Sequence, residues 1–198
     1  MRIFSYVVEH DLGFAPNPFF GVCSLAACKP EIRKRADLGD IVVGTGAARP
    51  GLTNNLIYWM RVKEVCTFDE YWADQKYLRK RPQMNGSRMV RYGDNIYHRD
   101  ATGSFVQEDS FHSLPHGQTS VGNLNRDTRK TDRVLLASEY AYWGGSGPQV
   151  PAHLRHFIKK GPGHKCRFSS TDVTDFSSWL FSFDDRGFLG TPAHWQFL

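Results

Sequence analysis

The sequence has little of what marks several large classes of protein. Its 198 residues include only four cysteines, none in a Cys-x-x-Cys pair, so no zinc knuckle, thioredoxin-type redox site or disulfide framework can be read from their spacing. No apolar run approaches the roughly 18 residues that cross a bilayer, and Met1 leads into a strand-like segment instead of a signal peptide. We therefore expect free thiols, a cytoplasmic location and no membrane partner.

The composition is that of a folded globular protein. Hydrophobic residues make up 40% of the chain and charged residues 23%, which excludes a disordered tail and a coiled coil. A chain of this length can bury its own core, and neither a repeat nor a low-complexity tract divides it. We predict one domain over residues 1–198 with an α+β fold, in which a mixed, mainly antiparallel sheet curls into a partial barrel between flanking helices.

Local patterns predict the order of the elements. Strands are predicted at 2–9, 41–44, 56–65, 95–98, 105–107 and 133–138. A short helix is predicted from Pro30, and Thr67 with Glu70 has the spacing of a capping box, which predicts a second helix start. The polar segment 108–132 is long enough to indicate a functional loop.

The charge balance favours polyanionic partners. The formal net charge is +5, and basic residues concentrate at 29–35 and 76–91, the second interleaved with aromatic and methionine side chains. Cations hold phosphates while bases stack on aromatic rings. We expect Lys80, Arg81 and Arg88 to contact nucleic-acid phosphates, with a solvated surface loop as the alternative.

A proline-rich loop, residues 10–29, gathers side chains suited to chemistry. A cysteine near a histidine can act as an activated nucleophile, and the basic run that follows Cys28 favours a thiolate. The alternative, stronger for Cys23, is a small buried hydrophobic residue. We expect His10 and Asp11 to act in acid/base chemistry.

A second polar group surrounds Asn95. In an extended strand Asp94 and His98 lie on one face, where the carboxylate would orient the imidazole as a general base. Amides can read the edge of a nucleobase. Capping and turn hydrogen bonds by the same polar residues are the alternative.

The remaining motifs name no cofactor or metal. The glycines of 39–46 lack both the phosphate-loop and the dinucleotide spacing. His112 and His116 share a face only on a helix, whereas Pro115 argues for a loop. Tyr142 belongs either to a stacking face or to the core.

Several segments together resemble one known family. They are 8–11, 14–19, 28–33, 39–46, 93–97 and 110–113. The chain resembles, over nearly its whole length, the bacterial and phage proteins called nucleotide modification associated domain, type two. That resemblance implies a role in modifying nucleobases in DNA, in a phage or anti-phage context. Residues 1–75, with Gly39-Asp40, also resemble PUA-like domains of the EVE and ASCH type, which hold a flipped base in a pocket.

We therefore expect a protein directed at nucleotides or DNA that binds a nucleotide or a flipped base in a pocket, and the sequence leaves open whether it also modifies that base as an acid/base enzyme. Its expected catalytic residues are His10, Asp11, Asp94 and His98. Its expected substrate-binding residues are Asn17, Cys28, Lys29, Arg33, Thr45, Asn95, Tyr97, Gln107, Ser110, His112 and Tyr142. The loop residues and those around Asn95 are expected to line one cavity. Alternatives are a non-catalytic reader of modified bases and a protein-binding accessory subunit.

Overall fold

The computed structural model describes residues 1–48 and 51–197, and this part of the chain contains ten strands and five α-helices. The strands are β1 (Ile3–Val8), β2 (Cys23–Leu25), β3 (Ile41–Gly46), β4 (Leu56–Arg61), β5 (Glu64–Thr67), β6 (Tyr97–Arg99), β7 (Phe105–Gln107), β8 (Arg133–Ala137), β9 (Glu139–Tyr142) and β10 (Gly187–Phe188). The α-helices are α1 (Pro30–Arg35), α2 (Phe68–Ala73), α3 (Arg88–Arg91), α4 (Val121–Thr128) and α5 (Ser170–Phe181). Five 3-10 helices lie at Gln75–Lys80, Pro115–Gly117, Gly144–Ser146, Ala152–Phe157 and Ala193–Phe197. The predicted α+β class is confirmed.

The chain divides into two compact units. The first unit comprises Met1–Leu12, Ala36–Lys63 and Ala137–Leu198, and the second comprises Gly13–Arg35 and Glu64–Leu136. The organisation as a single domain stays a prediction.

The first unit is built on a five-stranded sheet in the order β1-β3-β4-β9-β10. β1 pairs with β3 in parallel, and β4 is antiparallel to both β3 and β9, so the sheet is mixed as expected. Gly44 on β3 is required by close approach, because a Cβ there would overlap the ring of Tyr58 on β4. The core of this unit includes Trp59, Phe157 and Phe176.

The second unit contains a three-stranded sheet, β2-β8-β5, and the two-stranded β6-β7. The capping box predicted at the start of α2 is formed, because Thr67 Oγ1 accepts from the Glu70 amide while the Glu70 carboxylate accepts from the Thr67 amide. Phe68 then packs edge-on against Tyr97, with ring centroids 5.2 Å apart. None of the three sheets in the described chain closes into a barrel.

The predicted strand 56–65 is two strands. β4 ends at Arg61, where the Val62 amide donates to the carbonyl of Asp40, and β5 begins at Glu64 in another sheet. The apolar alternation runs across this break, so the pattern alone could not locate it. Among the described residues, no helix is both long and apolar enough to cross a membrane.

Candidate active site

Three chemically active side chains meet in the second unit. Nε2 of His112 lies 3.7 Å from Sγ of Cys28, and Nδ1 of the same ring lies 3.2 Å from Oδ2 of Asp127. A thiol, an imidazole and a carboxylate in this order form the arrangement by which a histidine, oriented by an acid, accepts a proton from a nucleophile. We call Cys28, His112 and Asp127 the thiol centre.

Asp127 is the buried anchor of the thiol centre. It lies in the last turn of α4 with no exposed surface, and its carboxylate accepts from the Cys28 amide at 2.9 Å and from the Tyr97 hydroxyl at 2.9 Å. Burial raises the pKa of Asp127, but hydrogen bonds from His112 and Arg126 outweigh it and hold the pKa at about 2. The carboxylate is therefore charged at neutral pH.

Arg126 brings a positive charge to all three members. Its Nε and Nη2 atoms donate to the Asp127 carboxylate at 3.0 and 3.1 Å. Nη2 also lies 3.3 and 3.4 Å from the two ring nitrogens of His112 and 3.7 Å from the Cys28 sulfur. The Arg126 side chain is 42% exposed, so it can contact a ligand while its guanidinium stabilises negative charge on the sulfur.

The backbone at Cys28 adopts an unusual conformation. Cys28 and Lys29 have φ values of 58° and 44°, in the left-handed region that costs a residue with a side chain about 1 kcal/mol or more. Two successive residues in this region direct the Cys28 amide to Asp127. Strain of this kind clusters at functional sites because the surrounding structure must impose it.

Arg33 links the segments that contain Cys28 and Asp127. It is fully buried, and it donates to the carbonyls of Cys28 and Arg133 at 2.9 and 2.8 Å and to the carbonyl of Asp127. Its guanidinium also lies over the Phe68 ring. Arg33 therefore positions the centre and is not exposed to a substrate.

Three further predicted residues support His112. The Ser110 hydroxyl accepts from the His112 amide at 3.3 Å, and Gln107 donates both to the His112 carbonyl and to the Tyr97 hydroxyl. Burial and the charge of Asp127 raise the pKa of Tyr97, which keeps its hydroxyl a neutral donor. These contacts fix the ring that faces the thiol.

The thiol is protonated in the resting state. Burial, followed by the nearby Asp127 charge, raises the pKa of Cys28 to about 11. Nucleophilic attack then requires transfer of the thiol proton to His112 during the reaction, as in serine-based triads, and not a preformed thiolate.

The same three donors have the spacing of a metal site, since one ligand atom from each lies within 4.8 Å of the others. The guanidinium of Arg126, in contact with every one of them, puts a positive charge where a cation would bind. That charge favours thiol chemistry over metal binding at this site.

The predicted pairing of Asp94 with His98 is not formed. Asp94 accepts from the Tyr71 hydroxyl at 2.9 Å, whereas His98 contacts Glu108 at 2.7 Å and stacks on Trp72. The alternation argument fails because β6 begins only at Tyr97, so Asp94 lies before the strand.

The proline-rich loop and the Asn95 region meet in the second unit, but in a packed polar interior. Lys80 is 2% exposed and its ammonium donates to the carbonyls of Asn17 and Val22, to the Asn17 side chain and to Ser24. The Asn95 amide donates to the Lys80 carbonyl. Asn17 and Lys80 therefore hold the loop, and the Lys80 ammonium is occupied by protein acceptors instead of facing a phosphate.

Arg81 and Arg88 are the other two residues that were predicted to contact phosphates. The guanidinium of Arg81 lies 3.6 Å from the centroid of the Trp72 ring and donates to the Trp72 carbonyl. Asn95 is one of the predicted substrate-binding residues, and its side chain donates to the Tyr71 carbonyl. Arg88 is exposed at the start of α3, where its phosphate role stays a prediction.

Four predicted residues lie in the first unit. Asp11 is buried, and its carboxylate accepts from the Tyr142 hydroxyl and from the Ala193 amide. Thr45 donates to the Tyr6 carbonyl. His10 is exposed, with its ring edge-on to His194. Asp11, Tyr142 and Thr45 thus serve contacts within this unit, and the catalytic role of His10 stays a prediction.

Sequence reasoning missed Asp127 and Arg126. Both lie in the polar segment 108–132, whose length indicated a functional loop, but no spacing relates them to Cys28. Only the fold brings residues so distant in sequence together.

Comparison with known proteins gives one match. A family model described as nucleotide modification associated domain 2 matches residues 1–198, which is the whole chain. Searches of curated proteins and of solved structures return no match.

Proposed function

The chain belongs to the nucleotide modification associated domain 2 family, and from that premise we propose that it binds a nucleotide, or a base extruded from DNA, beside Cys28 and modifies that base by covalent catalysis. Membership implies a role in nucleotide modification. The approach of His112 Nε2 to the Cys28 sulfur, with Asp127 on the opposite ring nitrogen, is the observation that carries the proposal. The proposal includes the phage or anti-phage context that the family resemblance implies.

The first step transfers one proton and forms one bond. The Cys28 thiol gives its proton to Nε2 of His112 while the sulfur bonds to an electrophilic carbon of the base. A ring double bond opens, and its electron pair moves onto a ring or exocyclic atom of the base. Asp127 stabilises the imidazolium that forms, and Arg126 stabilises negative charge on the sulfur as the proton leaves.

The basic side chains near the thiol suit a phosphate. Arg126 is half-exposed, and Lys29 follows the nucleophile directly. A phosphate held there would place the attached base close to the thiol centre. Charge-assisted hydrogen bonds from an arginine to a phosphate are among the stronger ones in proteins.

Binding and chemistry can be tested together. A panel of the ribonucleoside and deoxyribonucleoside monophosphates, with a mixed-sequence single-stranded DNA, is screened for a rise in Tm. The bound nucleotide is then incubated in heavy water and assayed by mass spectrometry for a gain of deuterium on carbon, which reversible addition of the sulfur to a ring double bond introduces. Cys28 is assayed in parallel for protection against iodoacetamide. Cys66, a half-buried thiol of the same unit, is the reference.

We expect at least one nucleotide to raise Tm, to slow alkylation of Cys28 but not of Cys66, and to gain deuterium on carbon. A Tm shift without protection of Cys28 would place the ligand elsewhere and contradict the proposal. Protection of Cys28 with an unchanged nucleotide would identify a reader and contradict the catalytic part.

A further inference from the structure

An exposed aromatic ring adjoins the thiol centre. Phe111 is 46% exposed, although most large apolar side chains of the described chain are buried. Its ring packs edge-on against Phe14 and Tyr92, with centroids 5.7 and 5.3 Å away, and its centroid lies 6.2 Å from that of His112. An aromatic ring supported from behind and open to solvent is a surface on which a nucleobase stacks.

The ring is held in place relative to the histidine. Phe14 contacts His112 directly, with ring centroids 4.4 Å apart. In the flanking segment the Ser113 hydroxyl donates to the Glu108 carbonyl at 3.0 Å, and the Leu114 amide donates to the Gln118 carbonyl at 2.8 Å. Stacking surface and proton acceptor are therefore parts of one packed group.

The nucleophile selects among the bases. A thiolate adds readily to a carbon–carbon double bond conjugated with a carbonyl or imine group, and pyrimidines contain such a bond between C5 and C6. In purines the corresponding C4–C5 bond is shared by the two fused rings and has no hydrogen-bearing carbon to attack. We infer that the substrate is a pyrimidine, stacked on Phe111 and attacked at C6 by Cys28. This inference rests on the proposed function and narrows its substrate class.

The addition balances without any further reactant. The sulfur bonds to C6 as its proton passes to His112, and the C5–C6 electron pair becomes an enolate, or the corresponding anion of cytosine. Water protonates C5 and becomes hydroxide, which then removes the original C5 proton. The C5–C6 double bond re-forms as the sulfur leaves, and the sulfur regains its proton from His112. In heavy water this cycle replaces the hydrogen on C5 with deuterium.

The pyrimidine can come from a free nucleotide or from a DNA strand. The chemistry at C6 is the same for both, provided that a base in DNA is unstacked, because an enzyme reaches its target atom only outside the duplex. Deoxycytidine and deoxyuridine monophosphates, and a single-stranded oligonucleotide containing cytosine, separate these sources.

Proton NMR in heavy water tests the inference. The wild-type protein is expected to exchange the C5 hydrogen of at least one of these probes at least 100-fold faster than Cys28→Ser does. Cys66→Ser, the matched control, should exchange it at the wild-type rate. Exchange with the monophosphates alone would indicate a free-nucleotide substrate, and exchange with the oligonucleotide alone a polymer.

Failure of the pyrimidine inference can be distinguished from failure of the proposed function. If nucleotides raise Tm and protect Cys28 while the C5 hydrogen of every probe stays in place, the pyrimidine inference is overturned and the thiol centre stands. If no nucleotide protects Cys28, the proposed function fails first.

A separate variant tests the stacking role of Phe111. Phe111→Ala should weaken binding of the exchanging pyrimidine about tenfold, since the base loses the aromatic ring on which it stacks. Leu114→Ala removes an apolar side chain of similar exposure, 48%, from the same segment. Equal affinities for these two variants would contradict the stacking role.

Discussion

In the second unit, Oδ2 of Asp127 lies 3.2 Å from Nδ1 of His112, so the carboxylate determines which ring nitrogen faces Cys28. With a proton on Nδ1, the ring presents Nε2 to the thiol as an acceptor. The three members of the thiol centre therefore depend on one another.

Asp127→Asn should lower turnover about 10³- to 10⁴-fold, because an amide that donates to Nδ1 stabilises the wrong tautomer. Nucleotide affinity should change by only a few fold. Steady-state kinetics at a pH where both proteins are folded provide the measurement. A variant retaining more than a tenth of wild-type turnover would remove Asp127 from the mechanism.

The same substitution should speed alkylation of Cys28. After burial, the charge of Asp127 is the largest influence that raises the pKa of this thiol to about 11, so its removal lowers the pKa and increases the thiolate fraction at pH 8. Peptide mapping after iodoacetamide treatment measures the rate. Alkylation of Cys28 should become faster while alkylation of Cys66, a thiol of the same unit, stays at the wild-type rate. Faster alkylation of both thiols would indicate unfolding, and an unchanged or slower rate at Cys28 would contradict the prediction.

Lowering the pH should reduce the free energy of unfolding, because Asp127 becomes protonated. Its folded pKa of about 2 lies below the ordinary value of 3.8; the stabilisation, about 2 kcal/mol, is therefore present above pH 4 and lost as the pH falls towards 2. Urea unfolding at pH 6 and pH 3 measures it. The stability gap between wild type and Asp127→Asn should shrink at the lower pH; a constant gap would be inconsistent with a depressed pKa.

Lys80→Met should destabilise the protein by about 3 kcal/mol, because it leaves buried acceptors without a donor. The cost arises in the packed interior around Asn17 and Val22. Lys76→Met, at an exposed position of the same 3-10 helix, should cost less than 1 kcal/mol. Equal effects in urea titrations would show that Lys80 is not a structural residue.

Arg33→Lys should reduce turnover at least tenfold while the protein remains folded. A lysine ammonium cannot reproduce the planar fork that bonds three carbonyls, so Cys28 would shift relative to His112. As a positioning effect, the loss should fall on kcat and leave KM within a few fold. An unchanged kcat would show that this link is dispensable.

Local patterns predicted local structure well. The capping box at Thr67 and the short helix from Pro30 are formed because both depend on residues a few positions apart. The Asp94–His98 pair is not formed because it required a strand that begins three residues before β6 does. Cys28 and His112 were expected at the site. Their contacts with each other and of Cys28 with Asp127 join residues that are about 100 positions apart, and a local sequence pattern cannot predict such contacts.

The most direct test compares two rival catalytic assignments on the nucleotide that the protein alters. Turnover by Cys28→Ser is measured beside turnover by His98→Ala, whose imidazole contacts Glu108 and Trp72 and not the thiol centre. Catalysis by the thiol centre predicts a loss of at least 1,000-fold for Cys28→Ser and less than threefold for His98→Ala. Substantial turnover without the Cys28 sulfur, or a comparable loss without the His98 ring, would contradict it.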